Sequence, residues 1–389
     1  MTILFYKNNE ISPNLGGISR ISCNLRDSLT KKGCTCFFLS STRNDSIKPE
    51  ICQHWLPVLD NECCEDNIKW LKEFIRNNKV DVIINDCLLI NSIRFLDKAR
   101  QNTSCKLVTW VHNNVVEYGS LVGYRYEQKL QKKHFGFLCW LLTCPPVVRL
   151  LRVFAKRKHQ ATAQECYHYS DKVITVCDGN IEEFLFLLGD NDRDNKVIAI
   201  PNFVPSIPEE VSEDEKEKIV VWCGAVDFEL KKTNWMLDIW RSVQSECQDW
   251  KLIIMGDSKQ LEAMKIYAEN IGVERTIFTG RVDPAPYYRK AAIICSTSIT
   301  ESFGLTMVEG MQHRVVPIAF SSSKALRDVV GYNGCLIRPF NKKQFASELL
   351  KLMNNNSTRL FMAEKSRVSA WQYDEAYITS LWIKLLKII

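Results

Sequence analysis

Residues 291–319 read AAIICSTSITESFGLTMVEGMQHRVVPIA, and this stretch decides the fold. An apolar run at 291–295 ends in a polar loop, a helical segment begins near Gly304, and a second apolar run follows at 315–319. Nearly continuous apolar runs of this length are typical of strands that are buried on both faces of a parallel sheet. Because a helix lies between two such strands, we predict an α/β fold.

The same alternation of strands and helices continues on both sides of this stretch. Further buried strands are predicted at 3–6, 36–39, 80–84, 106–111, 172–176, 196–200, 219–223, 251–255, 276–278 and 335–337. Amphipathic helices fit between them, for example at 17–31, 233–245, 258–270 and 342–354.

An acidic, Pro-containing stretch at 205–218, PSIPEEVSEDEKEK, separates the two sets of strands and is predicted to be a linker. The sequence therefore predicts two Rossmann-like, doubly wound lobes, at 1–204 and 219–370, that face a cleft. Ligands of such lobes bind at the carboxyl ends of the strands. The apolar stretch 371–389 is predicted to form a helix that returns to the first lobe.

Composition excludes several classes of protein. The 389 residues are 46% hydrophobic and 25% charged, which is the balance of a globular chain rather than a disordered or many-span membrane chain. The net charge of +6 is too small to indicate a general nucleic-acid coat. Sixteen cysteines occur without CxxC pairs or zinc-ligand spacing, and the first residues, MTILFYKNNE, lack the features of a signal peptide. We therefore expect reduced thiols and a cytoplasmic location.

One segment, at 125–158, departs from the α/β pattern and concentrates the positive charge. Nine basic residues and one acidic residue give it +8, so the rest of the chain carries −2. Its apolar run, 135–148, is too short for a bilayer span and is interrupted by Pro145 and Pro146. Apolar and aromatic residues flanked by Lys and Arg favour peripheral contact with an anionic membrane. A buried helical hairpin with a solvated basic face is the alternative, and a nucleic-acid contact is disfavoured by the apolar content.

The loop and helix start at 300–312, TESFGLTMVEGMQ, have features of an anion-binding site. A helix N-terminus offers N–H groups and the positive end of a dipole to a phosphate, and Gly304 permits close backbone approach. Helical side chains tilt toward the N-terminus, so Glu309 is expected to point back toward the loop that contains Glu301. Two carboxylates beside a phosphate site would suit a nucleotide sugar, although an ordinary helix start with an acidic residue has the same spacing.

This motif resembles the Glu-x7-Glu signature of the retaining glycosyltransferases of family 4, the glycosyl transferases group 1, which have the GT-B fold. Further landmarks occur in the order of that family: NLGGISR at 14–20, WVHNN at 110–114, IPNF at 200–203, WCGAVDFELKK at 222–232 and FTGRV at 278–282. The resemblance implies a catalytic set of His112, Lys231 and Glu301. It implies a donor site formed by Gly16, Gly17, Lys231, Arg281, Val282, Glu301, Ser302, Phe303, Gly304, Leu305, Thr306 and Glu309.

The roles that follow from the resemblance are those of retaining sugar transfer. Lys231, the Gly17 amide and the helix N-terminus would offset charge on the departing nucleoside diphosphate, and Glu301 would orient the donor sugar. Glu309 would accept from ribose hydroxyls, and backbone groups of Arg281 and Val282 would meet the base. The expected substrates are a UDP- or GDP-sugar and a glycan or lipid-linked acceptor, as in bacterial surface polysaccharide synthesis, with no metal and no other cofactor.

Plainer interpretations of these residues stay open at this point. His112 could be a core histidine, Lys231 a solvated side chain, and Arg281 a surface residue. Ala225 stands where the family commonly has a basic phosphate ligand, which leaves Lys232 or another side chain to compensate. Arg314 and Gly310 also depart from the family pattern, which usually has Gly and Ala there. A non-catalytic GT-B module bound to a partner enzyme and a sugar-nucleotide epimerase are the alternative functions.

Overall fold

The computed structural model describes residues 1–13, 16–43, 51–59, 61–189, 192–207 and 211–389, apart from the side chains of Gln128, Gln131 and Lys132. Asn14 and Leu15 of the predicted Gly-Gly loop and 208–210 of the predicted linker lie outside the described residues. The chain forms two compact units. The first unit comprises Met1–Asn113, Lys156–Pro205 and Asp374–Ile389, and the second comprises Asn114–Ala155 and Ser206–Tyr373.

The first unit is built on a parallel sheet of seven strands in the order β3-β2-β1-β4-β5-β6-β7. Its strands are β1 (Thr2–Lys7), β2 (Thr35–Ser40), β3 (His54–Trp55), β4 (Val82–Asn85), β5 (Lys106–Val111), β6 (Lys172–Thr175) and β7 (Val197–Ala199). Its helices are α1 (Gly17–Lys31), α2 (Glu65–Asn77), α3 (Ile90–Arg100), the second part of α8 (Pro145–Tyr169), α9 (Asp178–Leu188) and α17 (Glu375–Ile388). The inner strand β1 pairs with β2 on one side and β4 on the other, and its apolar run from Ile3 to Tyr6 is fully buried.

The second unit is built on a parallel sheet of six strands in the order β10-β9-β8-β11-β12-β13. Its strands are β8 (Ile219–Cys223), β9 (Lys251–Met255), β10 (Thr276–Gly280), β11 (Ile293–Ser296), β12 (Val316–Phe320) and β13 (Cys335–Ile337). The helices that follow these strands are α10 (Thr233–Val243), α11 (Leu261–Asn270), α12 (Ala285–Lys290), α13 (Leu305–Gln312), α14 (Lys324–Val330), α15 (Lys342–Asn354) and α16 (Asn356–Ala370). Trp222, Trp240 and Trp250 are buried in the core of this unit.

The second unit also contains a helical insertion, Asn114–Ala155, that precedes its sheet in sequence. The insertion consists of α4 (Val115–Ser120), α5 (Val122–Arg125), α6 (Glu127–Lys132), α7 (Gly136–Thr143) and the first part of α8. The sequence prediction assigned the basic segment 125–158 to the first lobe, whereas its residues up to Ala155 group here with the second unit. This grouping rests on contacts between positions far apart in sequence, which no local sequence pattern reports.

The predicted doubly wound α/β architecture is confirmed. Each of the twelve predicted strands is present, with ends that differ by at most two residues. Strand β3 was missed because its two residues form no recognisable apolar run. The predicted C-terminal helix is confirmed as α17, which is preceded by a short 3-10 turn at Trp371–Tyr373. Its Trp382 packs against Trp110 of β5 with ring centroids 4.9 Å apart, so this helix belongs to the first unit.

The described part of the predicted linker contains local structure after Val211. Ser212 and Glu215 form a capping box around a short 3-10 helix, and the Lys216 ammonium donates to the carbonyls of Tyr288 (2.9 Å) and His313 (2.5 Å). The half-buried side chain of Lys216 therefore attaches this segment to the second unit, while most of the neighbouring residues are exposed.

Candidate functional site

The second unit brings Lys231 and Glu301 together at the point where its strand order reverses. Lys231 follows β8 and Glu301 follows β11, and these two strands are neighbours in the sheet. The Lys231 Nζ lies 2.5 Å from Glu301 Oε1, and the hydroxyl of Ser298 donates to the same oxygen at 2.7 Å. Both side chains of the ion pair are only partly exposed. Ligands of open α/β sheets bind at this kind of switch point, at the carboxyl ends of the strands.

The loop that contains Lys231 is organised by Asp227. One oxygen of its carboxylate, Oδ1, accepts from the backbone N–H groups of Glu229, Leu230 and Lys231 at 2.7–2.9 Å. A carboxylate that accepts several N–H groups fixes a turn in the way a backbone hydrogen bond does. We refer to residues 227–232 as the lysine loop.

The lysine loop is hydrogen-bonded to the loop at 297–304 that contains Glu301, here called the glutamate loop. The hydroxyl of Thr297 is 3.0 Å from both Lys231 O and Lys232 O, and it accepts from the indole of Trp222 at 3.0 Å. The Ile299 N–H donates to Leu230 O at 2.9 Å. The ion pair between Lys231 and Glu301 is therefore supported by backbone contacts and does not depend on two flexible side chains alone.

Glycines let the neighbouring strand ends approach closely. The Gly224 N–H donates to Met255 O at 3.0 Å, and the Gly256 N–H donates to Gly280 O at 2.8 Å. A Cβ on Gly256 would lie 1.8 Å from Gly224 O, so no other residue fits there without a shift of the backbone. Sequence reasoning did not single out Gly256; the low content of 16 glycines was the signal that could have identified it.

The predicted base-binding residues, Arg281 and Val282, follow β10 directly. The Arg281 side chain is exposed, and Val282 is half-buried. Both residues lie next to Gly280 at the same edge of the sheet as the lysine loop.

Helix α13 begins at Gly304, which has the left-handed φ of 100°. No side chain caps this end of the helix, and Leu305 and Thr306 of its first turn are half-buried. Phe303 is buried, and its ring packs edge-on against Tyr373 with centroids 5.3 Å apart, which anchors the entry to the helix. The uncapped first turn retains N–H groups without intrahelical acceptors, and these are suited to an anion.

Glu309 lies on α13, one helical turn after Leu305, and is half-buried. Residues four apart share one helix face, so Glu309 and Leu305 lie on the same side of α13. The His313 ring donates through Nδ1 to Glu309 O at 2.7 Å, and burial lowers the pKa of His313. Within the described residues the structure therefore places Glu301, Ser302, Gly304 and Glu309 on one strand–loop–helix segment, as the sequence predicted.

Lys232 is not placed to replace the basic residue that the resemblance leads one to expect at Ala225. Its side chain is fully buried, and its Nζ donates to Glu127 Oε2 at 3.2 Å. Burial lowers the pKa of Lys232, and the Glu127 carboxylate opposes that shift. This lysine is therefore a structural residue whose charge is already paired.

The first unit brings His112 to the carboxylate of Asp86, again near its switch point. Asp86 follows β4, and His112 follows β5. The ring Nε2 of His112 is 3.4 Å from Asp86 Oδ1, and both side chains are buried. The hydroxyl of Ser22 donates to the other oxygen of Asp86. Asp86 therefore contacts the imidazole ring through Nε2.

The glycines of the first unit lie at the start of α1. Gly16 has a φ of 112° and precedes Gly17, the first residue of that helix. The Lys7 ammonium at the end of β1 donates to Ser19 Oγ of α1 at 2.6 Å, and burial lowers the pKa of Lys7 while Asp86 opposes the shift. Sequence reasoning missed Lys7, Ser22 and Asp86, since their partners lie on different elements.

Metal ligation finds no support in the described residues. No cluster of three or more His, Cys, Asp or Glu side chains occurs among them. The Ser22, Asp86 and His112 side chains do not form a nucleophile relay, because the serine hydroxyl donates to the carboxylate and not to the imidazole.

Helices α7 and α8 present apolar side chains at the surface. Phe137 and Trp140 of α7 are 72% and 67% exposed, and Leu150 and Phe154 of α8 are more than half exposed. In the part of the chain that the structure describes, no single helix is long and apolar enough to cross a membrane. The α7–α8 pair meets the length and composition criteria together, but its two helices are bent by 73° at the break between them.

Comparison with known proteins identifies relatives in sequence. The family model described as glycosyl transferases group 1 matches residues 217–355. An uncharacterized glycosyltransferase of Haemophilus influenzae is 23% identical over 383 residues, which cover 95% of this chain and 96% of that protein. The GalNAc-alpha-(1->4)-GalNAc-alpha-(1->3)-diNAcBac-PP-undecaprenol alpha-1,4-N-acetyl-D-galactosaminyltransferase of Campylobacter jejuni is 21% identical over 44% of this chain and 48% of that enzyme.

Solved structures are similar over the whole chain. The apo form of the lipopolysaccharide outer core galactosyltransferase WaaB has a TM-score of 0.69 and 16% identity, and covers 100% of this chain and 99% of its own. HepE of Anabaena in complex with UDP has a TM-score of 0.73 and 14% identity, and covers 100% of both chains. At these identities the likeness establishes the fold.

Proposed function

The chain is a glycosyltransferase with the GT-B fold, and we propose that its second unit binds a nucleoside-diphosphate sugar at the carboxyl ends of β8 and β11. The observation that supports this proposal is the Lys231–Glu301 pair, with its 2.5 Å separation, beside the uncapped start of α13. The group 1 resemblance is confirmed for the domain and the fold. Family 4 membership and retention of configuration stay predictions.

The proposed division of labour follows from charge. The diphosphate of a donor would attract the Lys231 ammonium and the N–H groups at the start of α13, because negative charge increases on the leaving group during transfer. Glu301 would then exchange its contact with Lys231 for hydroxyls of the donor sugar. Glu309 would accept from the ribose, and the Arg281 and Val282 backbone would face the base.

The first unit would contribute His112 as a catalytic residue and the Gly16–Gly17 turn as a donor contact. Asp86 is proposed as the positioning residue of His112, since it holds ring nitrogen Nε2 at 3.4 Å. The proposal assigns no residue as a covalent nucleophile, and the departing phosphate would assist deprotonation of the acceptor on the same face. This arrangement would retain the configuration of the sugar.

A lipid-linked or glycan acceptor is proposed from two observations. The Campylobacter relative is named for an undecaprenol-linked acceptor, and WaaB for the lipopolysaccharide outer core. In this chain, α7 and α8 expose Phe137, Trp140 and Phe154 within a segment of charge +8. Such a surface is suited to peripheral contact with an anionic membrane, where a lipid-linked acceptor would be presented. Bacterial surface polysaccharide synthesis is therefore the proposed context.

A panel of UDP- and GDP-sugars, scored by protection against thermal unfolding, tests the donor proposal. A donor at 100 times its dissociation constant should stabilise the wild type by about 2.7 kcal/mol. Glu309→Ala should lose this protection, because the proposed ribose acceptor is removed. Glu348→Ala, on α15 outside the strand-end loops, is the matched control and should keep it. If no nucleotide sugar protects the wild type, the proposed donor site is wrong.

A further inference from the structure

The helical insertion contacts the lysine loop through Glu127 of α6. Oε2 of Glu127 accepts from Lys232 Nζ at 3.2 Å and from the Trp235 indole at 3.1 Å. Lys232 is the last residue of the lysine loop, and Trp235 lies in the first turn of α10. The carboxylate of Glu127 therefore contacts both the end of the lysine loop and the start of α10, the helix that follows it.

Lys232 depends on this carboxylate. The side chain of Lys232 is fully buried, its backbone has the left-handed φ of 51°, and its ammonium lies 4.8 Å from the Trp235 ring centroid. A buried cation without its partner is costly, so loss of the Glu127 charge would force Lys232 to neutralise or move. Lys231 is its direct neighbour, so a displacement of Lys232 would displace Lys231 as well.

The insertion also contacts the glutamate loop, through Glu117 of α4. Oε2 of Glu117 accepts from Thr300 Oγ1 at 2.5 Å and from Asn114 Nδ2 at 2.7 Å. Thr300 directly precedes Glu301. A third contact, an ion pair between Lys129 of α6 and Glu229, adds to the hold on the lysine loop. All of these contacts lie within the second unit.

We propose that Glu127 and Glu117 are positioning residues of the donor site: the insertion holds the two loops that present Lys231 and Glu301. The inference rests on the proposed function. It adds that the affinity for a nucleoside diphosphate depends on residues that do not touch it, through Lys232 on one loop and Thr300 on the other. The insertion thus supports the donor site, and it also contains the exposed apolar side chains of α7 and α8.

Titration calorimetry with UDP, and with GDP in parallel, measures this effect on the full chain. Glu127→Gln and Glu117→Gln are each expected to weaken binding of the diphosphate at least fivefold, because a positional shift of either loop separates the groups that bind it. The double variant Glu127→Gln/Lys232→Met should bind no more weakly than Lys232→Met alone, since Glu127 acts through Lys232. Additive losses in that double variant would overturn the proposed route.

Two control variants separate positioning from a general loss of stability. Leu349→Ala removes a fully buried side chain of α15 and should lower the melting temperature without changing UDP affinity at a temperature well below it. Glu348→Gln should change neither. If Leu349→Ala weakens UDP binding as much as Glu127→Gln does, the role of Glu127 is merely structural and the proposal fails.

Failure of the inference can be distinguished from failure of the proposed function. If the wild type binds UDP or GDP, Lys231→Met weakens that binding and Glu127→Gln does not, the donor site stands and only the positioning role is wrong. If neither nucleotide binds the wild type, the proposed function fails, and the positioning role, which rests on it, fails as well.

Discussion

Gly256 is the position at which the second unit can least accommodate an added side chain. It has a φ of 138°, and an added Cβ would lie 1.8 Å from Gly224 O, at the root of the loop that contains Lys231. We expect Gly256→Ala to lower the free energy of unfolding by about 3 kcal/mol, from backbone strain together with overpacking. Chemical denaturation measures this loss.

Gly272→Ala is the matched control for this prediction. Gly272 has a φ of 69°, but the nearest atom to an added Cβ is the Arg241 side chain at 3.6 Å. This variant should lose only the conformational part, about 1 kcal/mol. Equal losses of unfolding free energy in the two variants would show that the close approach of Gly224 and Gly256 does not add to the cost of a side chain at Gly256.

The lowered pKa of Lys216 predicts that the stability of the chain depends on pH above neutrality. Burial lowers the pKa of its ammonium to about 7, from an ordinary value of 10.5. Between these two values the unfolded chain binds a proton that the folded chain does not, so the contribution of Lys216 to stability increases as pH rises. Relative to Lys216→Met, the wild type should gain at most about 1.4 kcal/mol per pH unit between pH 7 and 10.

Denaturation of both proteins at several pH values tests this slope. Below pH 7 Lys216 is protonated in both states, so the difference between the proteins should level off there. Lys218→Met, which changes an exposed lysine paired with Asp249, should run parallel to the wild type over the whole range. Parallel curves for Lys216→Met and the wild type would contradict the lowered pKa.

At the scale of elements, strands were predictable and side-chain partners were not. The run from Ile3 to Tyr6 is buried on both faces, so its apolar continuity was a sufficient signal. The pairing of His112 with Asp86 joins residues 26 apart that follow two different strands, and that of Glu127 with Lys232 joins residues 105 apart. No local periodicity encodes such contacts, which is why contacts of α4 and α6 with the glutamate loop and the lysine loop were not predicted.

Arg314 is a second case in which the sequence did not predict a side-chain partner. The resemblance marked it as a departure from a glycine, and the structure gives its backbone a left-handed φ of 56°. Its guanidinium lies 3.0 Å from the carboxylate of Glu364 on α16, which helps to hold a conformation that glycine would adopt without strain. The sequence identified the unusual position but could not supply the partner.

Helix α17 provides a prediction for a whole element. Trp382 is fully buried against Trp110 of β5, and Glu375 accepts from Ser28 of α1 at 2.7 Å. Trp382→Ala should lower the free energy of unfolding by about 3–5 kcal/mol, because it leaves a large cavity beside the sheet of the first unit.

The control for α17 lies a few residues upstream. Trp371 is 62% exposed, so Trp371→Ala should change stability by less than about 0.5 kcal/mol. Near-equal melting temperatures for Trp382→Ala and the wild type would mean that the helix contributes little to the first unit.

At the scale of the whole molecule, the charge distribution is uneven. The chain has a net charge of +6, whereas residues 125–158 alone carry +8, so the rest of the chain carries −2. Electrostatic attraction to an anionic surface falls off within a Debye length, about 10 Å at 0.1 M salt. At an anionic membrane, an orientation in which this segment faces the surface would therefore be favoured over the others, and apolar side chains in the same segment would add a contribution that salt does not screen.

Sedimentation with vesicles separates these two contributions. The wild type should bind vesicles of half phosphatidylglycerol and half phosphatidylcholine, and it should bind neutral vesicles more weakly. Binding to the anionic vesicles should decrease in part in 0.5 M NaCl, because the Debye length there is well below the ~10 Å found at 0.1 M salt. Phe137→Ser/Trp140→Ser should weaken binding more than tenfold, because each exposed aromatic side chain that enters the interface contributes about 1.5–3 kcal/mol. Tyr332→Ser/Phe361→Ser removes two exposed aromatics outside the segment and should bind like the wild type. If the first double variant also binds like the wild type, α7 does not enter the membrane, and the acceptor must reach this enzyme by another surface.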